Sequence, residues 1–409
     1  MNSMDLLKAL GDIDEQFLYE IEEISIKKRQ YEGRQRIAAV EQGQMVRGEM
    51  VMKENRMIKT LIAVMLVVIL ASGVVFAGVK IYDNIKGKAT ITPTYTSKIS
   101  SVDKNKVWVG TFNLVWNDFM NDTIGGKVNF VDGNTDLLDE LNKQTFKASQ
   151  LSEKSYFKIH GKSSLELRNK IENSIKQEFN EESEIVDKVN WNDPQGYVLY
   201  AMLKKEFNYL EKFPVLSDKP FANSEENIKY FGIGQTSTRK SSKNIEILFY
   251  NSDDDFSVKL KTKEGEEVIL YKTNGENKSF EENYITLKNN IKNYKGQKTL
   301  QENDIIEIPY IKINGEINYD ELCGKIIKGT NNAYIKQALQ TIDFELNNVG
   351  GTVKSEALIE ETEKAFAAGG KKLSFDSDFI LYLKEENKDQ PYFALKVDNT
   401  DVLVSADEY

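Results

Sequence analysis

The chain has 409 residues, a formal net charge of −10, one histidine and one cysteine. An acidic balance of this size argues against nucleic acid as the main partner of the whole chain. A lone cysteine, Cys323, rules out an internal disulfide, and a lone histidine, His160, with no G-x-S-x-G setting leaves no serine triad to build.

Residues 5–26 read as an amphipathic helix in which Leu6, Leu10, Ile13, Phe17 and Ile21 recur at helical spacing. A head this small cannot bury that face alone, so the face is expected to meet a partner or the inner membrane surface. The opening MDLLKALGDIDEQF resembles the short cytoplasmic heads of clostridial membrane proteins of anti-sigma-factor type. Then comes Thr60–Val79, twenty residues without a charge, between Lys59 and Lys80. At ~1.5 Å per residue it reaches ~30 Å, the thickness of the hydrocarbon core. The sequence therefore predicts a cytoplasmic head (1–58), one transmembrane helix (59–80), a tether (81–106) and an extracytoplasmic domain (107–409). No export signal precedes the span, which favours the N-terminus inside.

WVGTFNLVWNDFM (108–120) is apolar and aromatic and should be core, with Trp108, Phe112 and Trp116 at four-residue spacing. Residues 134–146 and 165–189 alternate at helical spacing. YVLYAMLKKEF (197–207) suits a buried strand or a short helix. Residues 244–252, 256–262 and 266–273 are strand-like, with Glu264-Gly265 as a hairpin turn. Residues 304–315 suggest a strand pair, 319–328 a helix and 333–346 a strand; 375–386 and 391–399 suggest an apolar pair around a polar turn. Helices early and strands late predict an α+β fold with mostly antiparallel sheets.

Four segments, in order, resemble serpins: 129–146, 197–233, FELNNVGGTVKSEALI (344–359) and FDSDFILYLKEENKDQPYFALKVDN (375–399). The resemblance implies mixed sheets with helices, truncated at the N-terminal end, because only about 25 folded residues precede the first match. It also implies a hinge at Gly350, Gly351, Thr352, Val353, Lys354, Ser355, Glu356 and Ala357. An exposed loop would follow to Leu373, with its bait at Thr362, Glu363, Lys364, Ala365 and Phe366. In serpins the loop after the hinge inserts as a strand, with every second residue entering the core. Counting from Thr352, those residues are Thr352, Lys354, Glu356 and Leu358. Burying two charges costs several kcal/mol per ion unless they pair, so insertion is expected to be impaired. The other register turns Val353, Ser355 and Ala357 inward instead.

The remaining signals carry little chemistry. His160 reads as a surface or loop residue and Cys323 as a small buried one. Asp253-Asp254-Asp255 lacks calcium-loop spacing and reads as a charged turn. Gly232-Ile-Gly234 has no βαβ setting and reads as a turn. No enzyme, cofactor or metal is expected. The resemblance implies a serpin-like domain that binds a protein outside the cell, a protease among the candidates, and with Lys354 and Glu356 in the hinge it is expected to bind rather than to inhibit that protease. The alternative is a transmembrane signalling protein whose head holds a cytoplasmic regulator.

Overall fold

The structure, a computed structural model, describes residues 83–84, 89–92, 94–99, 104–180, 186–187, 189–273, 278–351 and 370–407. All of them fall in one unit, Gly78–Tyr409. The head and the Thr60–Val79 span lie outside the described residues. Among the described residues, no helix is long and apolar enough to cross a membrane.

The first sheet contains β1 (Asp83–Asn84), β4 (Tyr156–Ser163), β5 (Asp193–Lys204), β6 (Phe207–Asn208), β13 (Ile311–Asn318), β14 (Tyr334–Leu346) and β15 (Gly350–Gly351). The second runs β2 (Thr90–Ile91), β3 (Lys106–Val109), β18 (Phe393–Val397), β17 (Phe379–Glu385), β11 (Glu266–Lys272), β10 (Asp255–Lys261) and β9 (Ile245–Ser252). The third runs β16 (Lys372–Ser374), β12 (Ile305–Pro309), β8 (Asn227–Ile233) and β7 (Val215–Pro220).

Of residues 197–207, all but Lys205 and Glu206 are strand, divided between β5 and β6, and the predicted hairpins β10–β11 and β17–β18 form as antiparallel pairs. FILYL and FALKV are buried on both faces, which is why they read as apolar runs, the second broken only by Lys396, rather than as alternation. Trp108, Phe112 and Trp116 are all core, although Trp108 belongs to β3 and the other two to the helix Gly110–Asp118. That helix packs against the first sheet, buried from Gly110 to Trp116. The opposite face of the sheet is covered by Leu165–Ser174 and the π turn Ile175–Phe179. Leu167, Ile171, Ile175 and Phe179 pack there on Val198, Tyr200, Met202 and Leu339, forming a second core.

Several expectations need correction. Residues 304–315 make two strands but not a pair: β12 belongs to the third sheet and β13 to the first, and the chain changes sheets at Pro309–Tyr310. Residues 319–328 hold only one 3-10 turn, Asp320–Leu322. The helix predicted over 134–146 shortens to Asp136–Leu141, and that over 165–189 ends at Asn180 in left-handed backbone. Gly232 lies inside β8 rather than in a turn. Its φ is +150°, and a Cβ there would fall 1.9 Å from the Ile306 carbonyl oxygen, so glycine lets two strands approach. Part of the stretch expected as tether joins the fold: β2 pairs with β3, and the Tyr95 ring packs tilted against Trp108 with centroids 4.9 Å apart. A helix absent from the prediction, Phe280–Asn293, opens with a capping box between Ser279 and Glu282.

Candidate functional site

The first sheet is antiparallel except where β5 and β14 meet in its middle and where β1 joins its edge. These two strands run parallel, paired from Gly196 with Tyr334 to Lys204 with Asp343. Parallel neighbours cannot be joined by a hairpin, and here about 130 residues separate them.

The pair is held at three levels. At its start the Asp193 carboxylate accepts from the Tyr334 hydroxyl and, at 2.7 Å, from the Lys336 ammonium. These hydrogen bonds, Lys336 first and then Tyr334, hold the Asp193 carboxyl far below the usual carboxylate range. In the middle the Tyr200 hydroxyl lies 3.3 Å from Thr341 Oγ1. On the main-core side the Gln340 amide donates to Thr111 Oγ1 at 2.7 Å, while its carbonyl accepts from the Tyr319 hydroxyl at 2.7 Å. Burial pushes the Tyr319 hydroxyl far above its ordinary pKa, so it serves here as a neutral donor. At the far end Lys204 donates to the Phe179 carbonyl at 2.8 Å.

Beyond β14 the chain turns at Asn347–Val349. The Asn347 carboxamide oxygen accepts from the Val349 and Gly350 amides at 2.9 and 3.2 Å. Asn348, fully buried, donates to the Phe213 carbonyl and accepts from the Phe213 amide. These bonds aim β15 back between β14 and β6: Gly351 faces Leu346 on one side and Phe207 on the other. Only glycine fits at 350, where a Cβ would sit 1.9 Å from the Phe207 carbonyl oxygen and 2.8 Å from the Asn208 Cα. Gly350→Ala is therefore expected to cost about 2 kcal/mol in urea unfolding, because backbone rather than a side chain must give way. An unchanged midpoint would show that β15 is loosely held.

The chain leaves this end at Gly351 and rejoins the described fold at Gly370, on the edge of the third sheet. The Lys371 amide donates to Asp304 at 2.8 Å, and β16 pairs parallel with β12. The buried Lys272 ammonium, 6% exposed, donates to Asp376 at 2.6 Å and to the Ser374 carbonyl at 2.7 Å. The described chain thus stops at Gly351 on the first sheet and resumes at Gly370 beside the third. Of the predicted hinge, Gly350 and Gly351 are placed here. Thr352, Val353, Lys354, Ser355, Glu356 and Ala357, the bait Thr362, Glu363, Lys364, Ala365 and Phe366, and the head residues Leu6, Leu10, Ile13, Phe17 and Ile21 lie outside the described residues.

The other singled-out residues are structural. His160 is not in a loop but in the edge strand β4, half-buried, with its ring 3.3 Å from Thr123 Oγ1; burial lowers its pKa. Burial also pushes the Cys323 thiol up to about 11, which leaves it a poor nucleophile at neutral pH. Asp253 serves the predicted charged turn, accepting from the Tyr250 hydroxyl at 2.6 Å. No group of potential metal ligands occurs among the described residues. Sequence reasoning missed Asn347, Asn348 and Gln340, whose only signal is polarity inside an otherwise apolar strand and its turn.

No sequence-family model matches the chain, and no curated protein matches it. Solved structures do. A serpin of the insect Tenebrio molitor shares 12% identity at a TM-score of 0.43, over 73% of this chain and 92% of that one. Thyroxine-binding globulin in complex with thyroxine shares 12% at 0.44, over 72% and 92%. The mouse protein-Z-dependent protease inhibitor shares 13% at 0.39, over 57% and 63%.

Proposed function

We propose that this is a membrane-anchored, serpin-like protein-binding domain, whose 352–369 segment meets a protease outside the cell and then enters the first sheet between β5 and β14. The observation that carries it is the start of β15. Gly350–Gly351 runs antiparallel to both neighbours, at the end of the two long strands β5 and β14 that lie parallel side by side. Continued in the same register, residue 354 would lie opposite Asp343 and opposite Lys204, which already face each other. The two registers agree, so a strand over 352–360 would fit antiparallel to both and complete the sheet.

That register also decides which side chains would turn inward. Val353, Ser355, Ala357 and Ile359 would share the face of Leu203, Ala201 and Leu199, which is the main core. Lys354 and Glu356 would share the face of Lys204 and Met202, beneath the 165–174 helix, with Lys354 beside Asp343. The expected impairment rested on Lys354 and Glu356 pointing into the main core; on this register they would turn instead toward the second core, where Lys354 would meet Asp343 and Glu356 would lie beside Met202. The anchor in this proposal is Thr60–Val79, and the Leu6–Ile21 face of the head is left for a cytoplasmic regulator.

The test incubates the full-length chain with a panel of serine and cysteine proteases and resolves the products on a denaturing gel. A complex that survives denaturation is the expected result. Clean cleavage near Thr362–Phe366, with protease still active, would reduce the domain to a binder that is also a substrate. No cleavage anywhere in 352–369 would sink the loop assignment.

A further inference from the structure

One cation pins the end of β5 to the second sheet. Lys205, in the link between β5 and β6, donates to Glu266 of β11 at 2.8 Å and to Glu385 of β17 at 2.7 Å. It also donates to Ser155 Oγ, just before β4, at 2.8 Å, and stands 5.4 Å from the centre of the Tyr392 ring. The two carboxylates are unequally served. Glu385 accepts from Lys205, from the Ser152 amide at 3.0 Å and from Ser155 Oγ at 3.3 Å. Glu266, 2% exposed, has Lys205 and the fully buried Tyr392 hydroxyl beside it.

The neighbouring charges do not change this balance. Glu267 of β11 turns to the opposite face, where it pairs with Lys259 of β10 and Lys384 of β17. Lys154, Lys204, Glu178, Glu206, Glu264 and Glu386 line the cleft outside the group, where water screens them. One ammonium cannot neutralise two carboxylates, and a charge this deeply buried is costly. The proton therefore goes to Glu266. Burial, with Glu385 adding to it and Lys205 and Tyr392 opposing, lifts its carboxyl from 4.5 to about 7.

The pin sits where the first sheet has to part if a strand is to enter it. β6 begins two residues after Lys205, and Phe207 faces Gly351 of β15. Moving the end of β5 away from β14 draws Lys205 off Glu266 and Glu385 and lets water reach both. We propose that Lys205, Glu266 and Glu385 form a pH-dependent latch on the end of β5, closed while Glu266 is protonated and loosened as it ionises. What the latch controls rests on the insertion reading given above; its existence does not.

The direction follows from linkage. In the closed joint the Glu266 carboxyl titrates at about 7, and in an opened, hydrated joint it returns toward 4.5. The closed form holds an extra proton between these values, so opening grows as pH rises from 4.5 to 7 and levels off above. His160, paired with Leu199 along β4, cannot imitate this: burial lowers its pKa, so its effect on stability has the opposite sign.

Hydrogen exchange of the full-length, uncut chain reads the latch. After correction for intrinsic rates, amides of residues 203–208 should be at least fivefold better protected at pH 5.5 than at pH 8.0, with the change levelling off near pH 7. Amides of 256–260 in β10 should change less than twofold. Glu266→Gln, neutral at every pH, should hold the joint closed and bring the effect at 203–208 below twofold. At pH 8.0 this variant should form denaturation-stable complex at least fivefold more slowly than the unaltered chain with the same protease; an equal rate would remove the latch from insertion. Equal protection at both pH values, better protection at pH 8.0, or a pH effect that survives in Glu266→Gln would overturn the latch. Should the variant not fold, a change in the unaltered chain still growing between pH 7.5 and pH 9 would overturn it as well. A step near pH 7 without any complex would sink the insertion reading and leave the latch standing, whereas complex formation with pH-independent protection would sink the latch alone.

Discussion

Replacing Ala357 with arginine is expected to abolish the denaturation-stable complex and to leave the loop as a plain substrate, whereas Glu356→Arg should change complex yield by less than about twofold. On the register set by Gly350–Gly351, residue 357 would lie opposite Gln340 and Ala201, on the face that carries Leu199, Leu203 and Ile342. An arginine there must either bury an unpaired charge, at several kcal/mol, or stay outside and hold the strand out with it. Residue 356 would lie opposite Met202 and Thr341 on the other face, under the 165–179 segment, where the natural chain already carries a charge, so that exchanging glutamate for arginine adds no new buried charge.

The same pair of variants can be read without knowing the natural protease. On the proposed reading, a cut near Thr362–Phe366 would free the upstream part of the segment to insert. About nine new residues in the sheet form on the order of ten backbone hydrogen bonds, each worth about 1 kcal/mol net. At about 2–4 °C per kcal/mol for a domain of a few hundred residues, the cut protein should melt more than 10 °C above the intact one. Ala357→Arg should cancel most of that rise and Glu356→Arg little of it. The reverse result would mean that Thr352, Lys354 and Glu356 turn inward and that the first two-residue pairing does not propagate.

How far the fold could be read from sequence follows how local each feature is. The β9–β10–β11 meander and the β17–β18 hairpin join neighbours through short turns such as Glu264-Gly265, and local pattern suffices for those. The Phe280–Asn293 helix went unpredicted although Ser279 and Glu282 stand three residues apart at its start, because its polar composition masks its period. By contrast, nothing in 304–315 says that the chain changes sheets at Pro309, because membership of a sheet is decided by distant partners. The parallel pairing of Gly196–Lys204 with Tyr334–Asp343 is equally silent. So is the face that residues after Gly351 would take, which turns on the two-residue pairing of β15. Alternation in β11 did hold a clue. Glu266, Val268, Leu270 and Lys272 share one face, and Val268 and Leu270 are core. One strand therefore buries an ionisable residue at each end: Glu266 beside Lys205 and Lys272 under the return of the loop.

The second of these carries the largest stability effect expected here. Lys272→Met should destabilise the domain by about 2–3 kcal/mol at pH 7. The ammonium bridges from β11 to the strand that receives the loop, contacting Asp376 at 2.6 Å and the Ser374 carbonyl at 2.7 Å. Removing one partner of a buried pair commonly costs about 3–5 kcal/mol. The lower figure applies because the Asp376 side chain keeps 27% exposure, and Lys372, at 3.4 Å, remains beside it. Burial alone would raise the Asp376 carboxyl, but Lys272 first, then Lys219 and Ser374, outweigh it and hold it down to about 2. A carboxyl depressed in the folded state contributes stability that is complete above its unfolded value of about 4 and is lost as pH falls toward 2. In Lys272→Met, burial meets weaker opposition, so the carboxyl rises and the charge becomes a cost at neutral pH. The gap between the two proteins in urea unfolding should therefore narrow between pH 7 and pH 3. An equal gap at both would mean that Lys272 acts by filling space, and that the receiving strand is not held by charge.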